Sequence, residues 1–168
     1  MSYQQLGLLL ALTPFGAVLA GIAGTLAGRR LVSPTALRAG LAISATSLIG
    51  VGLASPLAGD AWLAIAFVLA GFGLGLVQIG YMDLSISMLP ESARGVAGSL
   101  VNVMRLAGVI GGAVILLELH RWLGDGVSPI EGHARTFMAT GLALALIAIV
   151  SLWLRPTTHR IRCGDVRE

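Results

Sequence analysis

Charged and aromatic residues are both scarce in this sequence. Only 11% of the 168 residues are charged, lysine is absent altogether, and aromatic residues reach 5%. Soluble domains carry about 25% charged residues. The mean hydropathy is +0.89, and a soluble core of this size could not bury so much apolar surface. The sequence therefore predicts a protein that has lipid as its solvent.

Residue patterns typical of catalytic sites or metal sites are also scarce. The one cysteine, Cys163, excludes an intrachain disulfide, and the histidines at 120, 133 and 159 lack the spacing of metal ligands. We find no nucleophile elbow, phosphate-binding loop or zinc-protease motif in the sequence. We therefore expect no catalytic site, no metal and no cofactor. The net charge of +3 comes from arginines between apolar runs, which favours orientation in a membrane over binding to nucleic acid.

Long uncharged runs are what the sequence does contain. A hydrocarbon core about 30 Å thick needs roughly 20 apolar residues in a helix. The runs predict an all-α membrane protein with about five transmembrane helices, in a domain over residues 1–155 and followed by a polar cytoplasmic tail over 156–168. The predicted spans lie near 5–27, 38–56, 61–82, 96–118 and 135–154.

The arginines predict the orientation of these spans. Short cytoplasmic loops collect positive charge. The first and third connections and the tail hold nine of the eleven arginines, with Arg105 counted in the third, and the other two connections hold two. We therefore expect the N-terminus outside and the C-terminus in the cytoplasm, in a bacterial inner membrane. An odd number of spans with an outside N-terminus is what a longer chain would leave on losing its earlier helices.

The segment 71–112 has an ordered pattern, GFGLGLVQIGYMDLSISMLPESARGVAGSLVNVMRLAGVIGG. A glycine-rich helix precedes a short connection containing Pro90-Glu91 and Arg94-Gly95, and a second helix rich in small residues follows. This pattern resembles the major facilitator superfamily, most closely the fourteen-helix drug:proton antiporter branch. The matching residues of the second helix are Gly98, Asn102, Arg105, Gly108, Gly111 and Gly112.

The first connection adds to the resemblance. Residues 24–30, GTLAGRR, are similar to a second copy of the superfamily's Gly-x-Leu-Ala-Asp-Arg loop motif, with Gly28 in place of the aspartate. The resemblance implies a partial C-terminal helix bundle without the N-terminal half of a transporter. The residues that it assigns to cytoplasmic loop motifs are Gly24, Gly28, Arg29, Arg30, Pro90, Arg94 and Gly95.

Glycines within the spans have two interpretations. Small residues let membrane helices approach closely, so packing is the simpler interpretation. The other is sliding or rocking of helices during alternating access. We expect packing on one side of a helix at Gly71, Gly73 and Gly75, and at the pair Gly108/Gly112. Pro90-Glu91 likewise suits either a helix start or a gate.

Arg105 is the most informative single residue of the sequence. It lies about 13 Å into its span, where a charge is costly and usually faces a cavity or a partner. Asp83 at the end of the preceding span is a plausible partner for an ion pair, and snorkelling to the cytoplasmic side is the alternative. Gln78 and Asn102 lie at similar depth, where they either hydrogen-bond between helices or line a cavity. Gln78, Asn102 and Arg105 are thus the candidate cavity or coupling residues.

The resemblance implies proton-coupled efflux of a small solute by a permease of which this chain is an incomplete C-terminal portion, inactive alone. Its partners would be the lipid bilayer, the solute, protons, and either the missing N-terminal half or further copies of itself. The alternative is a structural or regulatory membrane subunit that packs against another membrane protein. An intramembrane enzyme is a third interpretation, for which the sequence offers no catalytic group.

Overall fold

A computed structural model describes residues 3–27, 33–54, 60–87 and 94–153. All regular structure in these residues is α-helical, and it forms five helices. They are α1 (Tyr3–Ala27), α2 (Ser33–Ala54), α3 (Asp60–Ser87), α4 (Arg94–Gly124) and α5 (Pro129–Trp153). The predicted five-helix, all-α fold is confirmed. The polar tail at 156–168 lies outside the described residues.

The helices have the length and composition to cross a membrane. Four contain stretches that qualify, within Pro34–Leu53, Ala61–Ser85, Gly98–Gly124 and Pro129–Trp153. In α1 the described side chains give a shorter apolar stretch, Ala11–Leu26, although the helix itself has 25 residues. At 1.5 Å per residue, 25 residues extend about 37 Å, which exceeds a hydrocarbon core of about 30 Å.

Helix α3 lies at the centre of the packing. It packs against α1 and α2, α2 packs against α5, and α5 packs against α4. Helix α4 also approaches α3, where the Tyr81 hydroxyl donates to the carbonyl oxygen of Val101 at 3.4 Å. The order of neighbours is therefore α1, α3, α2, α5 and α4, with a further contact between α3 and α4.

The glycines of α3 pack on two sides of the helix, not on one as the sequence suggests. A Cβ at Gly71 would overlap the carbonyl group of Thr13, and a Cβ at Gly75 would meet Ala20 of α1 at 2.6 Å. A Cβ at Gly73 would instead meet the carbonyl oxygen of Gly40 in α2 at 2.7 Å. Residues 71 and 75 are one turn apart and share a face, whereas residue 73 is rotated to the opposite side. Alternate glycines thus let α1 and α2 both approach α3.

Serine hydroxyls join α2 to α3. Ser44 donates to the carbonyl oxygen of Ala70 at 3.5 Å, and the buried Ser47 donates to that of Ala66. Trp62 of α3 donates from its indole nitrogen to the carbonyl oxygen of Gly50 at 3.4 Å. Such bonds between helices contribute about 0.6 kcal/mol each in a membrane. Close glycine packing and hydroxyl bonds together hold α2 against α3.

The α4–α5 connection is shorter than the sequence suggests. Helix α5 begins at Pro129, six residues before the predicted span. Proline suits the first helical position, and the N–H of Glu131 donates to the Ser128 hydroxyl at 3.4 Å, as in a capping box. Gly126 has a φ of 76°, which favours glycine and closes the turn. Because the residues at these helix ends are polar, apolar runs alone do not predict that the helices continue there.

Candidate functional site

Two of the polar residues singled out by the sequence share a groove between α1 and α3. Gln78 and Asp83 line it, together with the small residues Ala17, Gly21 and Gly75 and the apolar side chains of Ile79 and Met82. The groove has a volume of about 520 Å³ and is open on one side. The side chains of Gln78 and Asp83 are both exposed. Small residues on α1 and α3 therefore leave space for a ligand beside an amide and a carboxylate.

Asn102 and Arg105 lie on α4, outside the lining of this groove. Val101 lies opposite Tyr81 where the two antiparallel helices meet. Gln78 lies three residues before Tyr81 in α3. Because the two helices are antiparallel, Gln78 is level with the part of α4 just before Arg105. The sequence placed Gln78, Asn102 and Arg105 at similar depth, and this register agrees with that placement.

The proposed ion pair of Asp83 with Arg105 stays a prediction. The ion pairs that the structure places within its described residues are Arg121 with Glu118 at 3.6 Å and Arg135 with Glu131 at 2.9 Å. The register from Tyr81 and Val101 puts Arg105 six residues beyond the position opposite Asp83. That offset is about 9 Å along the helix axis. To reach Asp83, the Arg105 side chain would have to span it in the direction of the N-terminus of α4, which is the direction in which helical side chains tilt.

Helix α4 is the least covered of the four described spans. None of the most apolar window of Gly98–Gly124 is buried, and Asn102 and Arg105 are exposed with the rest. A Cβ at Gly108 or Gly112 would meet nothing within 4 Å, so the packing partner predicted for this pair is not among the described residues. An arginine facing lipid at mid-membrane costs about 2.5–3.5 kcal/mol on insertion scales. This face of α4 therefore suits a polar cavity or a protein partner better than lipid.

Most of the cytoplasmic loop motif lies outside the described residues. This holds for Gly28, Arg29, Arg30 and Pro90, while Arg94 begins α4 and Gly95 follows it in the same helix. Gly24 lies in α1, where an added Cβ would meet Ile79 of α3 at 3.0 Å. Gly24 therefore contributes to helix packing at the end of the groove.

A polar cluster that the sequence did not indicate joins α4 to α5. The rings of His120 and His133 have centroids 4.5 Å apart. The buried Thr136 donates its hydroxyl proton to the carbonyl oxygen of Gly132 at 2.8 Å, so it accepts from His120 Nδ1 at 3.0 Å. His133 Nδ1 donates to the carbonyl oxygen of Pro129 at 2.6 Å. Both rings thus carry a proton on Nδ1, as assigned from their partners.

The sequence feature that could have predicted this cluster is the symmetry of its residues about the turn, not a spacing typical of metal ligands. Positions 120 and 136 lie at equal distances from Ser128, and so do Gly124 and Gly132, which approach closely in the hairpin. An antiparallel hairpin centred on Ser128 would have predicted both contacts. Within the described residues no group of three or more histidine, cysteine or acidic side chains could hold a metal ion.

Comparison with known proteins gives three kinds of relative. Dipeptide and tripeptide permease A of Escherichia coli (strain K12) is 26% identical over 149 residues, covering 84% of this chain and 30% of the permease. The putative proline/betaine transporter of Staphylococcus haemolyticus (strain JCSC1435) is 28% identical over 155 residues, covering 88% and 32%. The tetracenomycin C resistance and export protein of Streptomyces glaucescens is 33% identical over 87 residues, covering 51% and 16%.

This chain is similar to transport proteins. Its apolar helices and these relatives together describe a multi-pass membrane protein. The chain spans about a third or less of the length of the relatives it matches. No family model matches the chain. No solved structure matches it either.

Proposed function

We propose that this chain is part of a solute transporter of the major facilitator superfamily, and that its α1–α3 groove and α4 face the solute pathway. The main support for the proposal is the exposure of Gln78, Asn102 and Arg105 within the apolar stretches Ala61–Ser85 and Gly98–Gly124. Polar groups at this depth are tolerated where they face a cavity or one another. Similarity to a permease, a transporter and an export protein supports the same function.

Each of the three residues has a role that follows from its chemistry. The amides of Gln78 and Asn102 can both donate and accept hydrogen bonds, so they suit a neutral or zwitterionic solute. Arg105 presents five donors in a planar fork, which suits an anionic group or a carboxylate that exchanges protons. Asp83 at the end of the groove is the acidic side chain nearest to such a pathway on α3.

Within this proposal, the transport is proton-coupled efflux of a small solute, as in the drug:proton antiporter branch. It rests on the sequence resemblance of 71–112, and one of the three relatives is named for export. The described spans hold few acidic residues, so the proton-coupling carboxylate would belong to another part of the transporter. On this account the 168-residue chain alone does not transport.

Efflux of ethidium from bacterial cells tests this assignment. Cells expressing the gene's complete reading frame should accumulate less ethidium than cells expressing the 168-residue chain alone, and Arg105→Ala should abolish the difference. Arg121→Gln serves as the matched control, because Arg121 is an exposed arginine of the same helix beyond its predicted span. Equal accumulation with and without Arg105, at equal expression, would contradict the assignment.

The uncovered α4 also favours a second candidate, a structural or regulatory subunit that packs against another membrane protein. The two candidates differ in the source of the covering helices. If the reading frame continues upstream of Met1 through further apolar spans, the cover belongs to the same protein and the transporter is favoured. If a stop codon and ribosome-binding site precede Met1, and a separate membrane protein co-purifies, the subunit is favoured.

A further inference from the structure

A second groove, between α2 and α5, has a different composition. It has a volume of about 390 Å³, and five of its lining residues are alanines. Thr46 lies in the lining, but its hydroxyl donates within α2, to the carbonyl oxygen of Ala42 at 2.9 Å. Apart from Arg38, the groove thus offers an apolar surface. The small side chains on both helices leave a groove that has room for an extended hydrocarbon chain.

Arg38 lies at one end of this groove. It is partly buried, and its Nη2 donates to the carbonyl oxygen of Ser151 in the last turn of α5 at 2.8 Å. The bond fixes the guanidinium at the groove mouth, where the charge also meets the negative end of the α5 dipole. A guanidinium has five donors in a planar fork that matches the oxygens of a phosphate. The arginine is thus held in place with donor geometry suited to an anion.

The length of the groove matches one leaflet. From Arg38 to Ile49, which also lines it, α2 rises about 16 Å at 1.5 Å per residue. That is about half of a hydrocarbon core of about 30 Å. The arginine distribution predicts that the start of α2 lies at the cytoplasmic surface. A headgroup at Arg38 and an acyl chain along the alanines would therefore both lie in the cytoplasmic leaflet.

We propose that the α2–α5 groove binds an anionic phospholipid, with its phosphate at Arg38 and one acyl chain against the alanines. The charge of Arg38 selects the anionic headgroup, and basic pockets between helices on the cytoplasmic side are typical of such sites. The proposal does not depend on transport, because this groove shares no lining residue with the α1–α3 groove. Its lipid would stabilise the contact between α2 and α5.

Lipid retention measured by native mass spectrometry tests this site. The 168-residue chain is purified in mild detergent and incubated with phosphatidylglycerol or with phosphatidylcholine. We expect at least fivefold more bound phosphatidylglycerol than phosphatidylcholine, and a higher Tm with the former. Glycerol phosphate should not displace the lipid, because a free headgroup lacks the acyl chain. Equal retention of both lipids would overturn the proposal, and displacement by glycerol phosphate would reassign the site to a free phosphate compound.

Two variants separate the headgroup contact from the groove. Arg38→Gln should lower phosphatidylglycerol retention at least fivefold, with Arg121→Gln as control. Ala42→Leu with Ala145→Leu fills the groove and leaves Arg38 and its bond to α5 in place, so it keeps the test valid if the first variant unfolds. It should lower retention as well. Unchanged retention in the groove-filled variant would overturn the proposal, and so would loss of a dimer in that variant, which would make the groove an interface between copies.

Discussion

The backbone of Gly71 in α3 lies against the carbonyl group of Thr13 in α1, so closely that a Cβ at position 71 would overlap it. This contact sets the distance between the two helices that form the Gln78 groove. One turn along α3, Gly75 both packs against α1 and lines the groove. The groove therefore depends on glycines that could be taken for simple packing residues.

Gly71→Ala should destabilise the α1–α3 contact. The added methyl has no room against backbone, and overpacking costs about 1–3 kcal/mol. Gly111→Ala is the matched control, because a Cβ at Gly111 would meet nothing within 4 Å. Thermal unfolding in detergent should show a lower Tm for Gly71→Ala and little change for Gly111→Ala. Equal Tm values for the two variants would contradict this close packing of α1 against α3.

The hydroxyl of Thr136 should stabilise the α4–α5 hairpin. Thr136→Val keeps the shape of the side chain but leaves His120 Nδ1 without its acceptor, at a cost of about 1 kcal/mol. Thr136→Ser retains the hydroxyl and is the matched control for that bond. We expect a lower Tm for the valine variant than for the serine variant. The reverse order would show that the methyl group, not the hydrogen bond, holds the hairpin.

The course of the chain through the membrane can be tested with its single cysteine. The arginine pattern predicts Cys163 in the cytoplasm and the α4–α5 turn outside. A membrane-impermeant maleimide should label Cys163 in inverted vesicles but not in intact spheroplasts. Cys163→Ser combined with Asp125→Cys, in the turn, should give the opposite pattern. Labelling of both sites from the same side would contradict a five-span topology.

The sequence predicts the positions of the helices better than it predicts the contacts between them. Uncharged runs located all five helices, because a membrane span needs a long apolar segment. They missed the first turns of α5, where Ser128 and Glu131 stabilise a helix start that is polar. The two-sided packing of Gly71 and Gly73 also escaped, because it depends on which helices lie next to α3.

The candidate residues come from the sequence, whereas the groove comes from the structure. Depth within a span singles out Gln78 and Arg105, since polarity inside an apolar run is visible in the sequence. The groove beside Gln78 was not visible, because small residues of α1 create it from the other side. The pairing of His120 with Thr136 joins residues on different helices, and only the geometry of the hairpin brings them together.

Water access to position 78 shows whether the α1–α3 groove faces a solute pathway. In the gene's complete reading frame, with other cysteines replaced by serine, Gln78→Cys should react with a water-soluble, membrane-impermeant thiol reagent. Leu142→Cys, at an exposed position near the middle of α5, is the lipid-facing control. We expect at least tenfold faster labelling at position 78 than at position 142, and protection of position 78 by a transported solute. Equally slow labelling at both positions would contradict a solute pathway along this groove.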